Sequence, residues 1–494
     1  MDVVVLLFLT SGLFLGWSLG ANDAANVFGT AVGTRMVSFA TAATVCTIFV
    51  ILGAVISGAG AAQTLGKLGS INALGGSFMA ALAAALTVYG MTRLGLPVST
   101  SQSIVGAIVG WNLFSGTITD TGTLIKILAT WVACPVLAAA IAAPLYRLTR
   151  RVLGWANFHL LRLDAYTRAA LIFAGAFGAY SLGANNIANV MGVFVPVSPF
   201  TEFEIANLLT VTSVQQLFLV GAIAIGVGVF TYSKKVMLTV GGSLLPMSPV
   251  AAWVVVIAHS IVLFLFASEG LENLLARNGL PTIPLVPVSS SQAVVGAVVG
   301  IGLLQGGKNI RWNILGNIGA GWIATPVISA LVCFVGLFFL QNVFNQQAYS
   351  EVRYALSSTV LDKAVVLVLP AEDLRDIEDR EFKSAVAFRS KLRELTELSD
   401  FQESQILKYS EIARTKIDPG KLTAKDRKWL GPERVKAVER LSGKSFVYKW
   451  QVAEALARES GQWSLLEETT VNKIYNKRMT ERLSLIYRTF AEVR

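Results

Sequence analysis

Side chains able to do chemistry are scarce in this 494-residue chain: it has two histidines and three cysteines, and only 15% of its residues are charged. Cys46, Cys134 and Cys333 stand far apart in apolar stretches, with neither CxxC nor metal-ligand spacing. They read as small core residues, and no disulfide framework or metal cluster follows. His159 sits in a basic stretch and His259 alone in an apolar run. Neither joins a His/Asp/Cys constellation, so the chain is not expected to be an enzyme. His259 reads as a buried hydrogen-bonding residue. Charge is thinnest in the first 344 residues, which hold 14 Lys+Arg and 8 Asp+Glu, against 27 and 23 in the last 150. The tail is only weakly basic, which speaks against nucleic acid as a partner and fits a domain beside an anionic membrane surface. The N-terminal run MDVVVLLFLTSGLFLGW lacks the positive segment of a signal peptide and is expected to be mature membrane structure.

What the chain has in abundance is apolar surface. It is 54% hydrophobic, with a mean hydropathy of +0.60, the composition of an all-α polytopic membrane protein embedded in a lipid bilayer. Apolar stretches suited to spanning helices lie near 2–20, 36–59, 75–92, 122–146, 168–184, 205–231, 250–267 and 312–341. A loop over 146–167 with Arg147, Arg150, Arg151 and Arg162 is placed on the cytoplasmic side by its positive charge, and the stretch around Glu269, Glu272 and Arg277 outside. The tail alternates apolar and charged residues at helical spacing, as in FKSAVAFRSKLRELTELSDFQ from Phe382. Pro419-Gly420 and Gly431-Pro432 punctuate it, so a soluble helical domain is expected there.

Three motifs recur in the same order. SLGANDAANVFG at 18–29 returns as SLGANNIANVMG at 181–192, PVSTSQSIVGAIVG at 97–110 as PVSSSQAVVGAVVG at 287–300, and WVACPV at 131–136 as WIATPV at 322–327. A duplicated unit follows. The expected domains are a first transmembrane repeat over 1–150, a second over 165–344, and a cytoplasmic helical domain over 345–494. Two halves meeting at one site are the pattern of a secondary transporter.

Each motif carries its own chemistry. Pro97 followed by Ser99, Thr100 and Ser101, then a short apolar run, reads as a capped helix N-terminus at membrane depth, and Ser289, Ser290 and Ser291 repeat it. Such an end presents unpaired N–H groups and the positive pole of the helix dipole, which suits an oxyanion. The GxxxG pairs Gly106/Gly110 and Gly296/Gly300 read as close-packing sites. In the first motif Gly20 and Gly29 are expected to let the backbone unwind, while Asn22, Asp23 and Asn26 offer oxygens to a hard cation such as sodium. Asn185, Asn186 and Asn189 repeat the set.

GANDAANVFGTAVG with its copy GANNIANVMG, the paired PVSTSQ and PVSSSQ, and SKKVMLTVGG at 233–242 resemble the inorganic phosphate transporter (Pit) family over about residues 1–344. The first motif is closer to its sodium-coupled branch. The resemblance implies two inverted repeats, broken helices carrying the Asn/Asp motifs, re-entrant helical hairpins carrying the hydroxyl motifs, and a central phosphate with sodium beside it. It implies phosphate import by cation symport through alternating access at the cell's inner or plasma membrane, with no cofactor beyond the co-transported ion and with dimerisation as a family expectation. By motif, Ser99, Thr100, Ser101, Ser289, Ser290 and Ser291 would hold phosphate. Asn22, Asp23, Asn26, Gln102, Asn185, Asn186, Asn189 and Gln292 would hold cations. The family's second motif usually has Asp where this chain has Asn186, which weakens the second cation position. Alternatives are a permease for sulfate or another tetrahedral oxyanion, and a proton-coupled phosphate symporter. A passive channel is disfavoured by the duplicated half-site and the lack of a charge ring.

Overall fold

The computed structural model describes residues 3–94, 98–156, 158–200, 203–205, 209–240, 247–307, 310–366 and 374–492. Pro97 of the first hydroxyl motif and Gly241 and Gly242 of the SKKVMLTVGG stretch lie outside them. The chain divides into two compact units, one of residues 1–115, 119–272 and 283–350, the other of 116–118, 273–282 and 351–494.

The first unit is helical. Its elements are α1 (Val3–Gly33), α2 (Phe39–Ser57), α3 (Ala59–Leu68), α4 (Leu74–Arg93), α5 (Thr100–Ser115), α6 (Thr121–Ala156), α7 (Leu160–Met191), a hairpin of β1 (Phe203–Ile205) and β2 (Leu209–Val211), α8 (Ser213–Thr231), α9 (Ser233–Val240), α10 (Pro249–Leu265), the start of α11 (Glu269–Arg277), which belongs to the second unit from Asn273 on, α12 (Ser290–Leu304) and α13 (Trp312–Asn342). Among the described residues six helices are long and apolar enough to cross a bilayer: α1, α2, α4, α6, α8 and α13. The pair α10 and α11, bent by 61°, adds a seventh if taken as one span. The stretch 168–184 lies within α7, a 32-residue helix that is not among the six. Its asparagines and the charged residues Arg162, Asp164 and Arg168 dilute its apolar character. The expected span over 205–231 is shorter than predicted, because its start is the β1–β2 hairpin. At 16 and 15 residues, α5 and α12 reach only about 24 and 22 Å, short of a ~30 Å hydrocarbon core.

Two local expectations are corrected. The 146–167 stretch is not a loop: α6 runs on to Ala156 and α7 starts at Leu160, so Arg147, Arg150, Arg151 and Arg162 are exposed on helix ends, and His159 caps α7 by accepting the Leu161 N–H. Nor are the helices of the Asn/Asp motifs broken: α1 is continuous through Gly20–Gly29, and α7 runs from Gly183 unbroken to its end at Met191, where Gly192 is the C-cap. The glycines serve approach instead of unwinding. A Cβ on Gly20 would overlap the carbonyl of Ile225 on α8, and one on Gly228 of α8 would overlap Trp17 of α1. On the other side, Gly183 of α7 meets Val50 of α2, and Gly53 of α2 meets Tyr180 of α7. Each motif helix is thus clamped to a helix from the other sequence half. The short helices follow the same rule. Gly106 and Gly110 of α5 seat on Pro326 and Ala330 of α13, and Gly296 and Gly300 of α12 on Pro135 and Ala139 of α6. The prolines belong to the third repeated motif, so two of the repeats exist to fit each other.

Residues 345–350 pack with the first unit. Trp111 Nε1 donates to Ala348 O at 3.0 Å, and Asn72 exchanges hydrogen bonds with the Ser350 backbone at 2.8 and 2.9 Å.

The second unit is not all-α. It contains β3 (Tyr354–Ala355), α14 (Ser358–Val366), β4 (Glu381–Phe382), α15 (Ala385–Leu395), α16 (Asp400–Ser410), β5 (Ile412–Lys416), α17 (Ala424–Leu430), α18 (Pro432–Arg440), β6 (Ser445–Tyr448), α19 (Lys449–Glu459) and α20 (Lys473–Phe490), with β3–β4 and β5–β6 paired antiparallel. Gly431, at φ +84°, makes the turn from α17 to α18 that the Gly-Pro pair signals. One apolar core gathers Phe388, Leu392 and Ile406, another Trp463, Ile486 and Phe490. Glu403 is 2% exposed and lies between Arg389 at 2.7 Å and Arg393 at 3.0 Å. Burial alone would raise its pKa, but hydrogen bonds from both guanidiniums hold the carboxyl below its usual range.

Two outcomes follow from this packing. Gly106→Ala and Gly296→Ala push a methyl into a backbone carbonyl and should each cost ~1–3 kcal/mol, seen as a lower melting temperature of the detergent-purified protein. Gly316→Ala, an α13 position with nothing within 4 Å of its would-be Cβ, should leave it unchanged or raise it. Ending the chain after Asn345 removes the partners of Trp111 and Asn72 and should lower the melting temperature relative to a truncation after Ser350.

Candidate functional site

The two hydroxyl motifs and the two Asn/Asp motifs come together inside the first unit. All fourteen residues expected to bind phosphate or cations are buried, each at most 9% exposed. A polar cluster this deep must answer for each donor and acceptor, since an unmet buried group costs ~1–3 kcal/mol.

The outer hydroxyls of each triplet are engaged by the protein. Ser99 and Ser289 accept the backbone N–H of Gln102 and Gln292 at 3.3 and 3.2 Å, the N-cap arrangement. Ser101 donates to Val288 O at 2.9 Å and Ser291 to Val98 O at 3.4 Å, so each helix start is tied to the segment preceding the other. The middle hydroxyls differ. Thr100 Oγ1 is buried with no partner among the described residues. Ser290 Oγ receives Asn26 Nδ2 at 3.0 Å and lies 2.9 Å from His259 Nε2. Thr100 and Ser290 occupy equivalent places in the repeats, and neither caps a helix nor donates to a protein carbonyl.

On α1, Asn22, Asp23 and Asn26 fall on one helix face. Asn22 Nδ2 donates to Asp23 Oδ1 at 2.9 Å and to Val98 O at 3.4 Å, and Asn26 Nδ2 lies 3.5 Å from the same carboxylate oxygen. On α7 the equivalents are more fully committed. Asn185 donates to Val286 O at 3.1 Å and accepts Val288 N–H at 2.9 Å, which pins the extended segment before α12. Its oxygen, expected as a cation ligand, is occupied by the backbone. Asn189 Nδ2 donates to Ser101 Oγ at 2.8 Å and to Asn186 Oδ1 at 2.9 Å. Asn186 therefore keeps its oxygen engaged and turns a partnerless Nδ2 donor into the site.

The atoms left over sort into two kinds. Among the described residues, Gln102 Oε1, Gln292 Oε1 and Asn189 Oδ1 are buried acceptors with no partner, and Thr100 Oγ1 and Asn186 Nδ2 are donors with none. Acceptor oxygens from both halves, together with the Asp23 carboxylate, suit a hard cation. The remaining donors, at the positive N-terminal ends of the α5 and α12 dipoles, suit an anion. No lysine or arginine is among these residues. His259, outside the repeated motifs and lying on apolar α10, is the site residue that motif reading missed; its isolation in an apolar run is the signal that a polar partner awaits it.

A family profile described as "Phosphate transporter family" matches residues 19–164, 161–333 and 274–407. A candidate phosphate permease of Methanocaldococcus jannaschii is 26% identical over 68% of this chain and 97% of its own length. One from Pyrococcus horikoshii is 25% identical over 68% and 97%, and one from Haemophilus influenzae 22% over 68% and 96%. A solved structure named "The sodium-dependent phosphate transporter" superposes with a TM-score of 0.54 at 23% identity, over 69% of this chain and 100% of that one. This likeness shows that the fold is shared.

The hydroxyl geometry makes the middle positions decisive. Thr100→Val and Ser290→Ala should each weaken oxyanion binding about tenfold or more, the loss of ~1–3 kcal/mol for a missing buried donor, when binding of the labelled anion to purified protein is titrated.

Proposed function

The chain belongs to the phosphate transporter family, an integral membrane protein by its apolar helices, and on that premise we propose that it imports inorganic phosphate by symport with sodium, alternating access around the site between α1, α5, α7 and α12. One observation carries the reading: an oxyanion cradle of neutral donors with no fixed positive charge, beside partnerless amide oxygens and one carboxylate. An anion desolvated there needs its charge offset, and co-bound cations on Asp23, Gln102, Gln292 and Asn189 supply that offset. Each ion then raises the affinity for the other, which is the thermodynamic content of coupling.

The repeated motifs and the crosswise pairing of α1 with α8 and α2 with α7 support two halves of inverted topology that rock about this site, with short α5 and α12 as the re-entrant pieces. The basic ends of α6 and α7 are assigned to the cytoplasmic side; residues 273–282, from the stretch expected outside, belong to the same compact unit as the tail, so the outside placement of that stretch and a cytoplasmic tail do not both hold.

Uptake of labelled phosphate into proteoliposomes tests the reading. Accumulation that needs an inward sodium gradient and resists excess sulfate is expected. Uptake driven by a proton gradient without sodium would replace the coupling ion, and full competition by sulfate would replace the substrate. The charge logic gives a mutant series. Asp23→Asn should nearly abolish sodium-driven accumulation. Asn186→Asp adds a second carboxylate and should lower the sodium needed for half-maximal uptake by about tenfold, ~1.4 kcal/mol. Asp23→Asn transporting like the parent would remove Asp23 from the coupling site.

A further inference from the structure

His259 is one of two histidines in the chain, is fully buried on α10, and touches the site through a single contact, Nε2 to Ser290 Oγ at 2.9 Å. Its Nδ1 is buried with no partner among the described residues. A neutral imidazole carries one proton, on one nitrogen or the other. On Nδ1 it would leave an orphaned buried N–H, the rarer and costlier defect, whereas a lone pair there is the milder one. We propose that His259 is held as the Nε2–H tautomer and acts as a positioning residue that makes Ser290 an obligate donor to the transported oxyanion.

The argument is one of valence. A serine hydroxyl offers one proton and two lone pairs. Asn26 Nδ2–H fills one lone pair at 3.0 Å and His259 Nε2–H the other, so the Ser290 proton has only the substrate to go to. The same arrangement bars Ser290 Oγ from ligating a cation, which keeps the anion and cation positions apart. Thr100, its equivalent in the first half, has no partner at Oγ1 among the described residues, so no protein hydrogen bond there sets the direction of its hydroxyl. The cradle thus presents one fixed and one adjustable donor. The opposite tautomer would take the Ser290 proton and turn a serine lone pair to the substrate, an acceptor for the P–O–H of protonated phosphate. Sulfate has no such proton near neutral pH, so the two arrangements differ in selectivity.

This inference rests on the phosphate reading of the site, and its tests are chosen to fail separately from it. In the full-length protein labelled with 15N-histidine, only two imidazoles contribute, and His259→Gln assigns them. The Nε2–H, Nδ1-unprotonated pattern is expected for His259 in the parent; the Nδ1–H tautomer or an imidazolium overturns the proposal. In transport, His259→Leu should raise the KM for phosphate about tenfold or more with little change in Vmax. His259→Gln, whose amide N–H reaches the same place, should restore most of it. Both variants should keep the parent's ratio of sulfate to phosphate inhibition constants. A variant that loses preference for phosphate over sulfate shows Ser290 acting as an acceptor and overturns the proposal. A parent protein that binds no oxyanion overturns the functional reading and the donor role with it, whatever the tautomer.

Discussion

Four helix crossings in the first unit share one contact: a glycine with its Cα against a backbone carbonyl of the neighbouring helix, where a single methyl would collide. Within a bilayer, helices gain little from hydrophobic exclusion, so packing distance is what holds them. Gly20 and Gly183 bring α1 and α7 hard against α8 and α2, and Gly106 and Gly296 bring α5 and α12 against Pro326 and Pro135. The four helices fixed in this way are the four that carry the polar motifs. Their side chains can then meet at hydrogen-bond distance across sequence separations such as 264 residues for Asn26 and Ser290.

Given that frame, the site is defined by the accounting of protons. The two halves begin alike in sequence and diverge in what they leave over. The first contributes a carboxylate and a threonine without partner. The second contributes an amide N–H in place of the carboxylate and a serine flanked by Asn26 and His259. The repeated motifs thus frame a site whose two halves differ in contents, one with a carboxylate and the other with an amide at the same motif position.

Much of this is legible in the sequence because it is written twice. Repetition of SLGANxxANVxG and PVSxSQ locates the site, and the serine pattern before an apolar run correctly marks the N-caps of α5 and α12. The GxxxG pairs are close-packing positions as their spacing suggests. What stays hidden depends on tertiary partners. Gly20 and Gly29 bracket Asn22, Asp23 and Asn26 like a helix break, but whether a glycine unwinds a helix or admits a neighbour is decided by Ile225, 205 positions away. Charge in the 146–167 stretch imitates a loop while α6 and α7 run through it. Strands as short as Tyr354–Ala355 and Glu381–Phe382 leave no periodicity to read. His259 belongs to no repeated motif, and only the placement of α10 beside α12 brings it to Ser290.

The exchange of partners between halves has a meaning for biogenesis. Helix α2 leaves the ribosome well before α7 exists, and the groove at Gly53 has to wait for Tyr180 to be made. At ~5–20 residues per second that interval is roughly 6–25 s, and the groove at Gly20 waits longer still for Ile225. During it the nascent first half lies in the lipid with its small-residue faces uncovered and its Asn26 without Ser290, its partner in the other half. Such a half is a target for membrane quality control, and the speed with which the second half inserts sets how long the protein is exposed to it.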